Sequence, residues 1–177
     1  MNGTRSKAAA ALAFCVVVAP ASLGAKGETT QIVISGGNLA SPVRIADPVV
    51  LSQFQVWSGA GTLRRLGGGA PIEATEGFIV DWSSGVVADP PRGLPQYEVA
   101  FCTGPATRPV YVVYYEPDPS SDRGYVYLPG KGEELYVSNT RSILRGHGFE
   151  GHWLHATRAW QEAAASVIPA QPPVPSA

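Results

Sequence analysis

Polar and apolar residues alternate through Thr30-Gln31-Ile32-Val33-Ile34-Ser35, the two-residue period of a half-buried strand. Gly36-Gly37-Asn38 follows as a turn, and Val43-Arg44-Ile45 resumes as a second short strand. The pattern changes at Asp47-Pro48. An Asp side chain suits the N-cap, where it accepts from unsatisfied N–H groups, and Pro suits the first helical position. Val49, Val50, Leu51 and Phe54 then supply a helical apolar face reaching Phe54 or Trp57. Ser58 to Pro71, with Gly59, Gly61, Gly67, Gly68 and Gly69, is predicted to be a long flexible loop around Leu63-Arg64-Arg65-Leu66.

Strand patterns dominate the middle of the chain. Gly77-Phe78-Ile79-Val80-Asp81 reads as extended, and Asp89-Pro90-Pro91-Arg92-Gly93 as a turn. Gln96 to Thr103 and Pro109 to Tyr115 are the next strands. In the second, Val110, Val112 and Tyr114 share one face, and Tyr111, Val113 and Tyr115 share the other. Both faces are apolar or aromatic, as expected of a central strand. Glu116 to Arg123 is a polar connection, and Gly124 to Leu128 returns as a hairpin partner. Pro129-Gly130-Lys131-Gly132 turns the chain again. Glu134 to Val137 and Thr140 to Leu144 read as extended around Ser138-Asn139, Arg145 to Gly151 as a turn, and His152 to Ala156 as a last strand.

Trp160, Ala163, Ala164, Val167 and Ile168 restore the helical period as a single stripe. Thr157 is the expected N-cap, and Pro169 ends the helix. About eight short strands with turn signals between them predict an α+β fold. The fold is mainly antiparallel β-sheet, with a short helix after Asp47 and a C-terminal amphipathic helix. Residues 26–168 form one strand-rich globular domain, and the Pro-rich residues 169–177 are predicted to be a disordered tail.

The chain begins differently. Arg5 and Lys7 precede an uncharged run from Ala8 to Ala19. That run is too short for the roughly 20 apolar residues of a membrane span, and it has the length of a signal-peptide core. Ala19-Pro20-Ala21 and Ser22-Leu23-Gly24 read small-x-small, so residues 1–25 are predicted to be a signal peptide cleaved between Ala21 and Ala25. Cys15 follows Phe14, whereas a lipid-modified Cys follows a small residue. The protein is therefore expected in the periplasm or outside the cell. No later apolar run approaches membrane length, so the mature chain is expected to lack a transmembrane segment.

Of 177 residues, 45% are apolar and 15% charged, with 13 Lys and Arg against 14 Asp and Glu. This near balance argues against nucleic-acid binding through a basic surface. Two Cys and three His exclude a disulfide-dense scaffold and a multi-cysteine zinc framework. Loss of the leader leaves Cys102 alone, in a strand context that predicts burial.

Two groups of residues carry candidate chemistry. His147, Glu150, His152 and His155 supply imidazoles and a carboxylate, the ligands of zinc and copper, although no H-E-x-x-H is present. Helical geometry puts His152 and His155 on one face; a strand sends them to opposite faces. Tyr115, Tyr125 and Tyr127 lie on neighbouring strands and make a binding platform for a peptide or carbohydrate if they share an exposed face. The loop Glu116-Pro117-Asp118-Pro119-Ser120-Ser121-Asp122 spaces three carboxylates, but Ser121 and Tyr127 stand where a calcium loop needs Gly and Glu. No G-x-S-x-G elbow or phosphate-loop motif is present, and no cofactor is predicted.

The run Ile32-Val33-Ile34-Ser35-Gly36-Gly37-Asn38-Leu39-Ala40-Ser41-Pro42-Val43-Arg44-Ile45-Ala46-Asp47 resembles the opening of a group of uncharacterised exported bacterial proteins. They share an I-x-I-x-G-x-x-L-x-x-P-[IV]-x-I-x-D pattern followed by a short helix. Tyr125-Val126-Tyr127-Leu128-Pro129-Gly130-Lys131-Gly132 and Glu150-Gly151-His152-Trp153 are similar to that group as well. The resemblance implies export and carries over no catalytic residue. Two readings follow. One is an exported, non-catalytic domain that binds a protein, peptide or carbohydrate, or has a structural role, in the envelope or outside the cell. The other is a metal-binding protein or hydrolase centred on His147, Glu150, His152 and His155.

Overall fold

A computed structural model describes residues 27–64, 72–73, 76–104, 109–121, 123–142 and 148–169, with only the backbone of 63–64, 72–73 and 141–142. The predicted leader, the tail beyond Pro169, His147, Asp122 and the glycines Gly67 to Gly69 lie outside the described residues. In chain order the elements are β1 (Thr29–Gly36), β2 (Val43–Ile45), α1 (Pro48–Leu51), β3 (Leu63–Arg64), β4 (Ile72–Glu73) and β5 (Val86–Val87). They continue as β6 (Tyr97–Thr103), β7 (Pro109–Glu116), β8 (Tyr125–Leu128), α2 (Glu134–Ser142), β9 (His152–His155) and α3 (Arg158–Val167). A 3-10 turn spans Trp82–Ser84.

Seven strands form one antiparallel sheet in the order β2-β1-β6-β7-β8-β9-β5. The mainly β, α+β architecture predicted from alternation is the one observed. β7, the strand with two apolar faces, stands fourth of seven. One face of the sheet carries the core. Ile32, Ile34, Tyr97, Val99, Phe101, Val113, Tyr115, Val126 and Leu154 are buried there beneath Leu51, Phe54, Val56, Phe78 and Ile79. α3 lays Trp160 on this face, 5.3 Å edge-on from Phe54 and 5.7 Å from Tyr115. Its N-cap is Thr157, whose Oγ1 accepts from the Trp160 N–H at 3.2 Å.

Four local expectations are corrected. The helix after Asp47 is a single turn, capped by Asp47 as predicted, and Phe54 is buried from beyond its end. Phe78, Ile79 and Val80 are all buried instead of alternating, so the segment crosses the core and makes only one bridge, Val80 to Ala156. Within the predicted loop 58–71, Leu63–Arg64 pairs with Ile72–Glu73 as a small ribbon. The extended segments expected over Glu134–Val137 and Thr140–Leu144 are replaced by α2 as far as Ser142. Thr140 Oγ1 bonds back to the Tyr136 carbonyl at 2.9 Å, so a β-branched residue is accommodated within the helix.

Tertiary demand explains α2. β8 pairs with β7 only from Tyr114 to Glu116, which leaves the Val112 peptide groups on that side without a strand partner. Asn139 fills the gap: its Oδ1 accepts from the Val112 N–H at 2.8 Å and its Nδ2 donates to the Val112 carbonyl at 2.7 Å. Asn139 is 3% exposed, so these bonds are shielded from water. The turn leading into α2 is fixed by a close backbone approach. A Cβ on Gly130 would lie 2.6 Å from the Gly151 Cα, so a side chain here would push apart the entrances of α2 and β9.

Asn139→Ala removes both partners of Val112 and leaves two buried backbone groups unsatisfied. At about 1–3 kcal/mol for each orphaned group, the expected loss is about 2–6 kcal/mol. Guanidinium unfolding of the variant and the parent measures it.

Candidate functional site

Strand register divides the aromatic residues between the two faces. Directly paired residues in an antiparallel sheet point the same way. Tyr97, Tyr115, Val126 and Leu154 are successive partners across β6, β7, β8 and β9, and all face the core. Glu98, Tyr114, Tyr127 and Trp153 are the adjacent row and face outward. The Tyr114 and Tyr127 rings stack at 6.4 Å and 27°, and Tyr127 lies 5.1 Å from Trp153. All three are partly exposed. Tyr125 and His155 form a second pair on this face, 5.3 Å apart.

The start of α2 stands beside this row. Glu133, Glu134 and Leu135, with Glu98 and Tyr114, line an open depression of about 490 Å³. Tyr127 Oη donates to Glu133 Oε1 at 2.5 Å, which ties the ring row to the helix entrance. Glu134 in the first turn also suits the positive end of the helix dipole. Burial, followed by Glu98, Glu133 and Glu134, raises the Tyr114 pKa, since a phenolate here would be poorly hydrated and surrounded by like charge. Burial and the bond to Glu133 push Tyr127 up to about 12. The depression and the ring row beside it therefore combine aromatic faces with carboxylates, a chemistry suited to apolar and cationic groups.

The predicted platform of Tyr115, Tyr125 and Tyr127 is divided by the register. Tyr115 is 1% exposed and packs in the core against Trp160. Tyr125 shares the outer face with Tyr127 but is 9% exposed. The residues sequence reasoning missed are Tyr114 and Trp153, which stand on either side of Tyr127. Their signal is the pairing of β8 with β7 for Tyr114 and with β9 for Trp153, which alternation within one strand does not provide.

β9 sends His152 and His155 to opposite faces, as its strand geometry requires. His152 is exposed, with Nδ1 3.1 Å from the Glu150 carbonyl oxygen, while His155 packs on Tyr125. Among the described residues, no group of three or more His, Cys, Asp or Glu is placed to hold a metal ion. Asp118 is buried and accepts from the N–H and Oγ of Ser120, so its carboxylate closes the hairpin loop. Cys102 is buried, and burial raises its thiol pKa. Asp81 caps the 3-10 turn and pairs with Arg123 at 3.0 Å, pinning the hairpin loop to the chain before β5.

Tyr127 is expected to ionise near pH 12 instead of the ordinary value near 10, and Glu133→Gln is expected to lower that value. Because the folded pKa is raised, the associated stability is complete below about pH 10 and is lost as pH rises toward the folded value. Ultraviolet titration of the parent, Tyr127→Phe and Glu133→Gln tests the assignment, and alkaline unfolding tests the linkage.

Among the described residues, no helix is long and apolar enough to cross a membrane. The chain matches no protein-family model, no curated protein and no solved structure.

Proposed function

We propose that this is an exported, non-catalytic binding domain that works in the bacterial envelope or outside the cell, holding a protein, peptide or carbohydrate on its outer sheet face. The observation that carries the reading is the row Tyr114, Tyr127 and Trp153, left partly exposed beside an open depression. Burying apolar surface gains roughly 25 cal/mol per Å², so three adjacent aromatic side chains hold unused binding energy. Their rings already contact one another, so little side-chain freedom remains to be lost on binding. The leader pattern and the resemblance to exported bacterial proteins support the location. β1 begins at Thr29, so cleavage anywhere between Ala21 and Ala25 leaves the sheet intact.

Two measurements test this reading. Expression with the leader in a bacterium, followed by intact-mass analysis, is expected to give a mature chain starting between Ser22 and Lys26. Backbone and indole NMR of that chain with soluble oligosaccharides and short peptides is expected to move Tyr114, Tyr127 and Trp153 first. Trp153→Ala is expected to weaken the interaction about tenfold, the value of one desolvated aromatic contact. Shifts clustered on another surface, or an uncleaved cytoplasmic chain, would contradict the proposal.

A further inference from the structure

The outer face also has a charge pattern, and that pattern selects among ligand classes. Three carboxylates, from Glu98, Glu133 and Glu134, line the depression, and no cation is among the described residues that line it. Glu133 and Glu134 have a local reason to be acidic, since they lie at the start of α2. Glu98 has none. It lies on β6, opposite Ser35 on one side and Tyr114 on the other, and Glu is an unfavoured strand residue. Its carboxylate adds to the negative potential over the Tyr114 ring from a different element.

We propose that the ligand of this face is an extended, arginine-bearing polypeptide segment, which lays a guanidinium over the Tyr114–Tyr127–Trp153 row with its charge among Glu98, Glu133 and Glu134. The inference rests on the binding role of the outer face proposed above. Arginine fits both halves of the site. Its planar cation stacks on aromatic faces, and its fork of N–H donors matches carboxylates. The rings come from three adjacent strands, with centroid steps of 6.4 and 5.1 Å. They form a track across the sheet long enough for an arginine stem. The depression is open, which suits a side chain reaching in from a backbone outside better than a small molecule, whose pockets usually bury most of the ligand. An anionic partner would be repelled. A second copy of this face would bring its own carboxylates against these. A neutral sugar would stack on the rings and offer hydroxyls to the carboxylates, but it would bring no counter-charge.

The test uses the mature chain and three probes: the capped peptide Gly-Ser-Arg-Gly-Arg-Ser-Gly, the same peptide with citrulline for both arginines, and chitotetraose. The indole N–H of Trp153, assigned with Trp153→Phe, reports binding, and calorimetry gives the affinity. The arginine peptide is expected to shift the Trp153 signal and to bind more weakly as salt rises. The citrulline peptide, of the same shape without the charge, is expected to bind roughly tenfold more weakly. Glu98→Gln and Glu134→Gln are each expected to weaken the arginine peptide several-fold with unchanged thermal unfolding. Equal binding of the two peptides, or no effect of either substitution, overturns the cationic assignment. A Trp153 shift with chitotetraose alone overturns it too and leaves the aromatic face as a sugar site. No shift with any probe counts against both the ligand class and the binding face.

Discussion

The central strand β7 needs hydrogen-bond partners along both edges and cover on both faces, and much of the structure follows from meeting those needs. β6 runs along one edge from Pro109 to Tyr115. On the other edge β8 serves only Tyr114 to Glu116. Asn139 supplies the missing donor and acceptor at Val112, so α2 must lie beside that strand. The helix begins where β8 has turned away, which brings Glu133 and Glu134 next to Tyr114. The depression is thus set by the same requirement that completes the sheet.

The two faces solve different problems with similar residues. Tyr97 and Tyr115 on the core side are at most 1% exposed, and burial raises the pKa of both phenols. Tyr114 and Tyr127, one step away on the same or the neighbouring strand, keep contact with solvent. Alternation within a strand places one set in the apolar interior and the other at the surface without any change of residue type. What sets the outer face apart is what borders the rings, above all Glu98 and the start of α2.

Much of the fold was legible in the sequence. The alternation in β1, the doubly apolar pattern of β7, the Asp47 and Thr157 caps and the stripe of α3 are local signals, and local physics decided them. α2 was not legible because Tyr136, Val137 and Thr140 favour strands, while the deciding interaction is between Asn139 and a peptide group in β7. Phe78 to Val80 reads as a strand because apolar runs do not distinguish a strand from a chain crossing a core. The candidate site was half legible. Tyr127 is legible; Tyr114 and Trp153 depend on the register of β7 with β8 and of β8 with β9, and register is a property of pairs of strands.

The place of Trp160 in the chain has a consequence for the order of events. Its ring is fully buried between Phe54 and Tyr115, yet it belongs to the last element among the described residues. β1 likewise finds its main partner only in β6, far along the chain. Early segments therefore wait for late ones, and a growing chain holds an incomplete core until α3 has been made. Synthesis runs toward the residue that closes the interior.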